Sequence, residues 1–142
     1  MLSSGRLEEL IRTQGIELEY RDIPSGALGT SAGGKITVLP DLHPAERFAV
    51  LAHELAHEIL HCTERRAETT RTIRETEAEA VAFAVCRAAG LDPGTRSSDY
   101  IQLYSGDQDV LMDSPEHIRK TASMILGELE TVKVPEDVSR AA

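Results

Sequence analysis

The chain has 142 residues, enough for one domain with a real core, and 41% of them are hydrophobic, yet no apolar run is long enough to cross a bilayer. No secretory or transit signal opens it, and its two cysteines, Cys62 and Cys86, fall on apolar helix faces, so they read as buried thiols of a reducing cytoplasm rather than a disulfide. The net charge of −9 argues against direct binding to a nucleic-acid backbone, which calls for a basic surface, and suits a basic protein partner or a DNA-mimicking face.

The first predicted element is a short helix carrying Leu7, Leu10 and Ile11, capped by Ser3 or Ser4 and ended by Gly15. Ile16, Leu18 and Tyr20 then alternate with Glu17, Glu19 and Arg21, the pattern of a half-buried strand. Residues 27–32 and 35–39 flank Gly33-Gly34 and predict a hairpin, before Pro40 breaks towards the next helix. The stretch Gly29 to Lys35 has the glycines and lysine of a phosphate-binding loop, but Ile36 replaces the required Ser or Thr and a strand follows where a helix should, so nucleotide binding is set aside.

From Pro44, a good first helical position with His43 at its entry, the segment to Cys62 has no internal Gly or Pro and sets Phe48, Leu51, Leu55, Ile59 and Cys62 on one apolar stripe. Nearly opposite that stripe lie His53, His57 and His61, with Val50 and Leu60 nearby. Such a mixed face predicts a second layer that covers part of it and leaves a cleft. Within it, His53-Glu54-Leu55-Ala56-His57 puts two imidazoles one turn apart, about 6 Å along the axis, where both reach one ion, and sets Glu54 beside them as a general base. This is the pattern of a zinc hydrolase. His61 is about 12 Å from His53 on a continuous helix, too far to share the ion easily, and reads as a supporting or structural residue.

Zinc in a catalytic site needs a third protein ligand. The segment Arg74-Glu75-Thr76-Glu77-Ala78-Glu79 opens a second, nearly apolar helix that runs through Val81, Phe83, Val85 and Cys86 to Gly90. Any of its three glutamates could serve, and each could equally be ordinary acidic placement at a helix start. Downstream, Asp92-Pro93-Gly94 predicts a turn, Ser97 or Ser98 a short helix through Tyr104, and Ser114-Pro115-Glu116 a final helix burying Ile118, Ala122, Ile125, Leu126 and Leu129. Tyr100, Tyr104 and His117 are candidates for stabilising an oxyanion, although nothing in the sequence places them near a metal. Residues 131–142 lack periodicity and predict a flexible tail behind a single domain over 1–130.

His53 to His61, followed by Glu75 to Ala84, resembles the ImmA/IrrE-type metallopeptidases, and most of all the metallopeptidase domain of ArdC-like antirestriction proteins; the similarity extends over residues 41–129. The resemblance implies an α+β, zincin-like fold with a small antiparallel sheet packed on the zinc helix and further helices after it. Setting Ala82-Phe83-Ala84 against the family's small-aromatic-small run makes Glu77 the third zinc ligand beside His53 and His57, with Glu75 and Glu79 as alternatives. Many relatives carry Asp or Asn four residues after the ligand to orient a metal histidine, and Val81 stands there in this chain. The implied function is a Zn2+-dependent endopeptidase acting on a specific protein substrate such as a repressor, with one hairpin strand pairing with the substrate backbone. The alternative is an antirestriction or regulatory binding protein in which zinc is mainly structural. ArdC-like proteins also have an N-terminal module for single-stranded DNA, which these 142 residues do not include, so the chain is either a stand-alone relative or one domain of something larger.

Overall fold

The computed structural model of the chain describes residues 3–91 and 114–131. Its first helix, α1 (Ser4–Thr13), is capped by the Ser3 hydroxyl, which accepts the Arg6 N–H at 3.4 Å, and buries Leu7, Leu10 and Ile11. Three strands follow: β1 (Glu17–Tyr20), β2 (Gly29–Ser31) and β3 (Lys35–Val38). β2 and β3 form the expected antiparallel hairpin, with Ser31 opposite Ile36 and the turn at Gly33-Gly34. Both glycines have positive φ, 63° and 95°, as a two-residue hairpin turn matched to the strand twist requires. The Glu58 carboxylate accepts both of their N–H groups, at 3.1 and 2.7 Å, and the Ser31 hydroxyl as well, which pins the hairpin tip to the helix below.

The sheet is mixed rather than wholly antiparallel. β1 pairs in parallel with β3, so the order is β1-β3-β2 and β3 is central. Local alternation identifies each strand but not its neighbour, and the connection from β1 to β2 carries the chain past the position of β3 before the hairpin returns. Among the described residues β2 is left as an edge strand.

The long helix α2 (Pro44–Leu60) begins with proline in its first turn, where a missing N–H costs nothing, and the His43 ring accepts the Ala45 N–H at 3.3 Å. Phe48, Leu51 and Leu55 are buried as the stripe predicts. Cys62 is not: α2 stops two residues before it and the thiol is exposed, whereas Cys86 is buried. A short helix α3 (Arg65–Glu68) leads to α4 (Arg71–Ala88), which starts three residues before the predicted Arg74 because Thr70 caps it by accepting the Ile73 N–H at 3.2 Å. The last described helix, α5 (Ser114–Thr131), buries Ala122, Ile125 and Leu129. The expected turn at Asp92, the helix through Tyr104 and the tail beyond Thr131 lie outside the described residues.

α2 is the hub. The sheet and α1 pack on it, as do α4 and α5, which also pack on each other. Contact between β2 and α2 is close enough to demand glycine: a Cβ at Gly29 would stand 2.6 Å from Val50 Cγ1 and 3.1 Å from Glu54 Cγ. Gly29→Ala is therefore expected to lose about 1–3 kcal/mol of stability in urea unfolding, as overpacking does, by pushing β2 off the helix. An unchanged midpoint would mean that β2 does not rest on α2 this closely.

Candidate metal centre

His53, Glu54 and His57 stand on the part of α2 that neither the sheet nor α4 covers fully, at the floor of a cleft of about 500 Å³. β2 contributes Gly29, Thr30 and Ser31 to its lining, and α3 and the start of α4 contribute Arg66, Arg71, Arg74 and Glu75. Of the three candidate glutamates, Glu75 is the one brought to the two histidines. Its oxygens lie 3.2 Å from His53 Nε2 and 3.0 Å from His57 Nε2. One ligand atom from each of His53, His57 and Glu75 falls within a mutual 4.8 Å, a spacing that suits three donors around a single ion.

Glu77, the ligand expected from the resemblance, is placed elsewhere. It is completely buried and binds His61 Nε2 at 2.8 Å, the Arg65 guanidinium and the Ser114 hydroxyl. Two residues along a helix is a rotation of about 200°, so Glu75 and Glu77 face nearly opposite ways and only one can join the histidine pair. Glu77 shares its side of α4 with Ile73, Ala80 and Val81, all buried. The phase of that apolar stripe is the signal in the sequence that separates it from Glu75 and Glu79.

Glu79, one turn beyond Glu75, accepts from His53 Nδ1 at 2.7 Å. The carboxylate that orients a metal histidine from four residues after the ligand is therefore present once Glu75 is taken as the ligand, and Val81 no longer leaves a gap. His57 is held by a longer route. Its Nδ1 is 2.8 Å from His61 Nδ1, and His61 Nε2 is 2.8 Å from Glu77. Tautomers follow from the acceptors: an ionised Glu77 only accepts, so His61 carries its proton on Nε2, which leaves its Nδ1 to accept from His57 Nδ1–H. On both His53 and His57 it is therefore Nε2 that faces Glu75, the ring nitrogen left for a metal to take in place of a proton.

The electrostatics agree with this division. Burial pulls the His53 pKa down, but hydrogen bonds to Glu75 and Glu79 outweigh it and carry it up to about 9. Burial raises that of Glu77, yet His61, Arg65 and Ser114 together hold it at about 2. The Glu75 carboxyl is held well below the usual carboxylate range by its two histidine partners. Glu54, only 7% exposed, is pushed the other way, chiefly by burial. A carboxylate raised in this manner is a better proton acceptor.

The remaining candidates stay apart. His117 is half-buried in the first turn of α5 and is not among the described residues lining the cleft, nor is His43, while Tyr100 and Tyr104 lie outside the described residues. No helix among the described residues is long and apolar enough to cross a membrane.

Comparison with known proteins gives a consistent result. Residues 12–86 match the model of the M78 peptidase family, described as the IrrE N-terminal-like domain. The fold is similar to the crystal structure of the antirestriction protein ArdC from plasmid R388, in a Mn(II)-bound form, with a TM-score of 0.62 and 17% identity over 93% of this chain. The chain spans 56% of that protein's length. No curated protein matches.

Proposed function

The chain belongs to the M78 peptidase family of IrrE N-terminal-like domains, and from that membership we propose that it is a zinc-dependent endopeptidase in which His53, His57 and Glu75 hold the metal and Glu54 is the general base. The observation that carries this reading is the convergence of three donor atoms within 4.8 Å beside a buried glutamate, in a cleft walled by an open strand edge. The donors fit the ion, since both histidines have their second ring nitrogen already engaged, by Glu79 and by His61. Two imidazoles and one carboxylate is a zinc set that leaves a position for water.

A zinc ion bound there supplies a water acidified towards neutrality and polarises a carbonyl oxygen. Glu54 takes the proton from the attacking water and passes it to the amine that leaves. The backbone of β2, unpaired on its outer edge among the described residues, gives an extended substrate a strand to bind, with Glu58 fixing the hairpin at the turn. Gly29 brings that strand to Glu54: a Cβ there would lie 3.2 Å from the Glu54 Oε2. A peptide paired with β2 is thus carried across the general base. The test is proteolysis that follows zinc and stops in a Glu54→Gln variant that still binds zinc.

A further inference from the structure

The cleft has a wall that the catalytic reading does not use. Four arginines, Arg65, Arg66, Arg71 and Arg74, fall within ten residues of a chain whose net charge is −9. The structure gives them different tasks. Arg65 turns inward to Glu77, and Arg74 donates to the carbonyl oxygens of Thr69 and Arg66 at 2.6 and 3.1 Å, which fixes the turn from α3 into α4. Arg66 and Arg71 have no such employment. Both are exposed, both line the cleft, and neither side chain makes an ion pair among the described residues.

We infer that Arg66 and Arg71 select acidic side chains in an extended peptide lying along β2, so that the cleft takes acidic segments of its protein substrate. This rests on the endopeptidase reading above. β2 and α4 each pack on α2 and the cleft opens between them, so a peptide paired with the β2 edge runs alongside the two guanidinium groups. The carboxylates that also line the cleft, Glu54 and Glu75, are those assigned to the proton and the metal, which leaves Arg66 and Arg71 without a carboxylate of their own among the described lining residues. The lining is therefore locally positive on an acidic protein, an arrangement that concentrates anionic groups at the cleft and repels them elsewhere. A peptide fits better than single-stranded nucleic acid. The open strand edge offers backbone pairing, and the described lining contains no Phe, Tyr or Trp on which bases would stack.

The experiment uses the zinc-loaded Glu54→Gln protein and three fluorescent peptides of one sequence, carrying Glu, Gln or Lys at alternate positions, with oligothymidine as a competitor class. The Glu peptide is expected to bind about five-fold or more tighter than the Gln peptide, with the Lys peptide weakest, as two partly exposed arginine pairs would give. Adding Arg66→Glu and Arg71→Glu reverses the order, a gain for the Lys peptide that misfolding does not produce. Equal affinities, no peptide binding, an order untouched by the two substitutions, or arginine-dependent binding of oligothymidine in preference to the Glu peptide would overturn the inference. Cleavage of the same peptides by the unsubstituted protein separates the two readings: cleavage without acidic preference removes the selectivity alone, and acidic preference without cleavage removes the hydrolysis alone.

Discussion

Replacing Glu54 by Gln is expected to lower peptide cleavage by about 10²–10⁴-fold while leaving zinc content and fold unchanged. The size follows from what the carboxylate does. It is buried at 7% exposure and has no part in the donor cluster formed by His53, His57 and Glu75, so its amide fits the same space and leaves that cluster intact. What the amide cannot do is accept a proton at neutral pH. Burial raises the Glu54 pKa, which makes the native group a stronger base than an exposed glutamate and enlarges the loss. Turnover and zinc content measured on the same preparations check this. Cleavage persisting at the native rate would remove Glu54 from the chemistry and leave a binding protein on the same scaffold as the better account.

Glu77→Ala and Glu75→Ala are expected to fail in opposite ways. Glu77 is fully buried between His61, Arg65 and Ser114, so it ties α4 to the end of α2, to α3 and to α5. Removing it takes from Arg65, His61 and Ser114 the carboxylate they share, a loss of about 3–5 kcal/mol for breaking a buried pair. For a chain of this size that lowers Tm by about 10 °C or more. Glu75 is half exposed, with a side chain 52% accessible, and its removal leaves the core untouched. Its loss falls on the metal. Acid tests the Glu77 side of this pair. The Glu77 pKa is depressed from 4.5 to about 2, so the stability it contributes is fully present above pH 4.5 and disappears as pH falls towards 2. Thermal melts of the metal-free native protein and of both variants between neutral pH and pH 3 check the pair. Equal stability of Glu77→Ala and the native protein would contradict a structural role for that carboxylate.

Much of this arrangement can be read from the residues. The spacing of His53 and His57 on a helix with an opposite apolar stripe predicts two imidazoles facing a cleft, because helical geometry alone fixes their separation. The Gly33-Gly34 turn is equally legible, since a two-residue hairpin demands positive φ. Strand order is not. β1 joins the far side of β3 in parallel, and no local pattern in Ile16 to Tyr20 specifies that partner. The glutamates show a subtler difference. Matching a small-aromatic-small run favours Glu77, but the buried stripe of Ile73, Ala80 and Val81 passes through Glu77 and assigns it to the core. Glu75 and Glu79, four residues apart, are the two that reach His53, and the proposed site takes them as ligand and orienting group. Cys62 departs from its expected burial for a related reason: the apolar stripe extends to it, while the helix ends at Leu60 and the thiol is exposed. Arg66 and Arg71 become visible only when α3 and α4 fold beside the cleft, since in the sequence they are two charges among many.

The most direct test of the centre is metal content by mass spectrometry on purified native protein and on the Glu75→Ala and Glu77→Ala variants, each dialysed against the same limiting zinc. About one zinc per native chain is predicted, lost or sharply weakened in Glu75→Ala and retained by the folded fraction of Glu77→Ala. Zinc kept by Glu75→Ala and lost from folded Glu77→Ala would contradict the assignment of His53, His57 and Glu75 as the metal site.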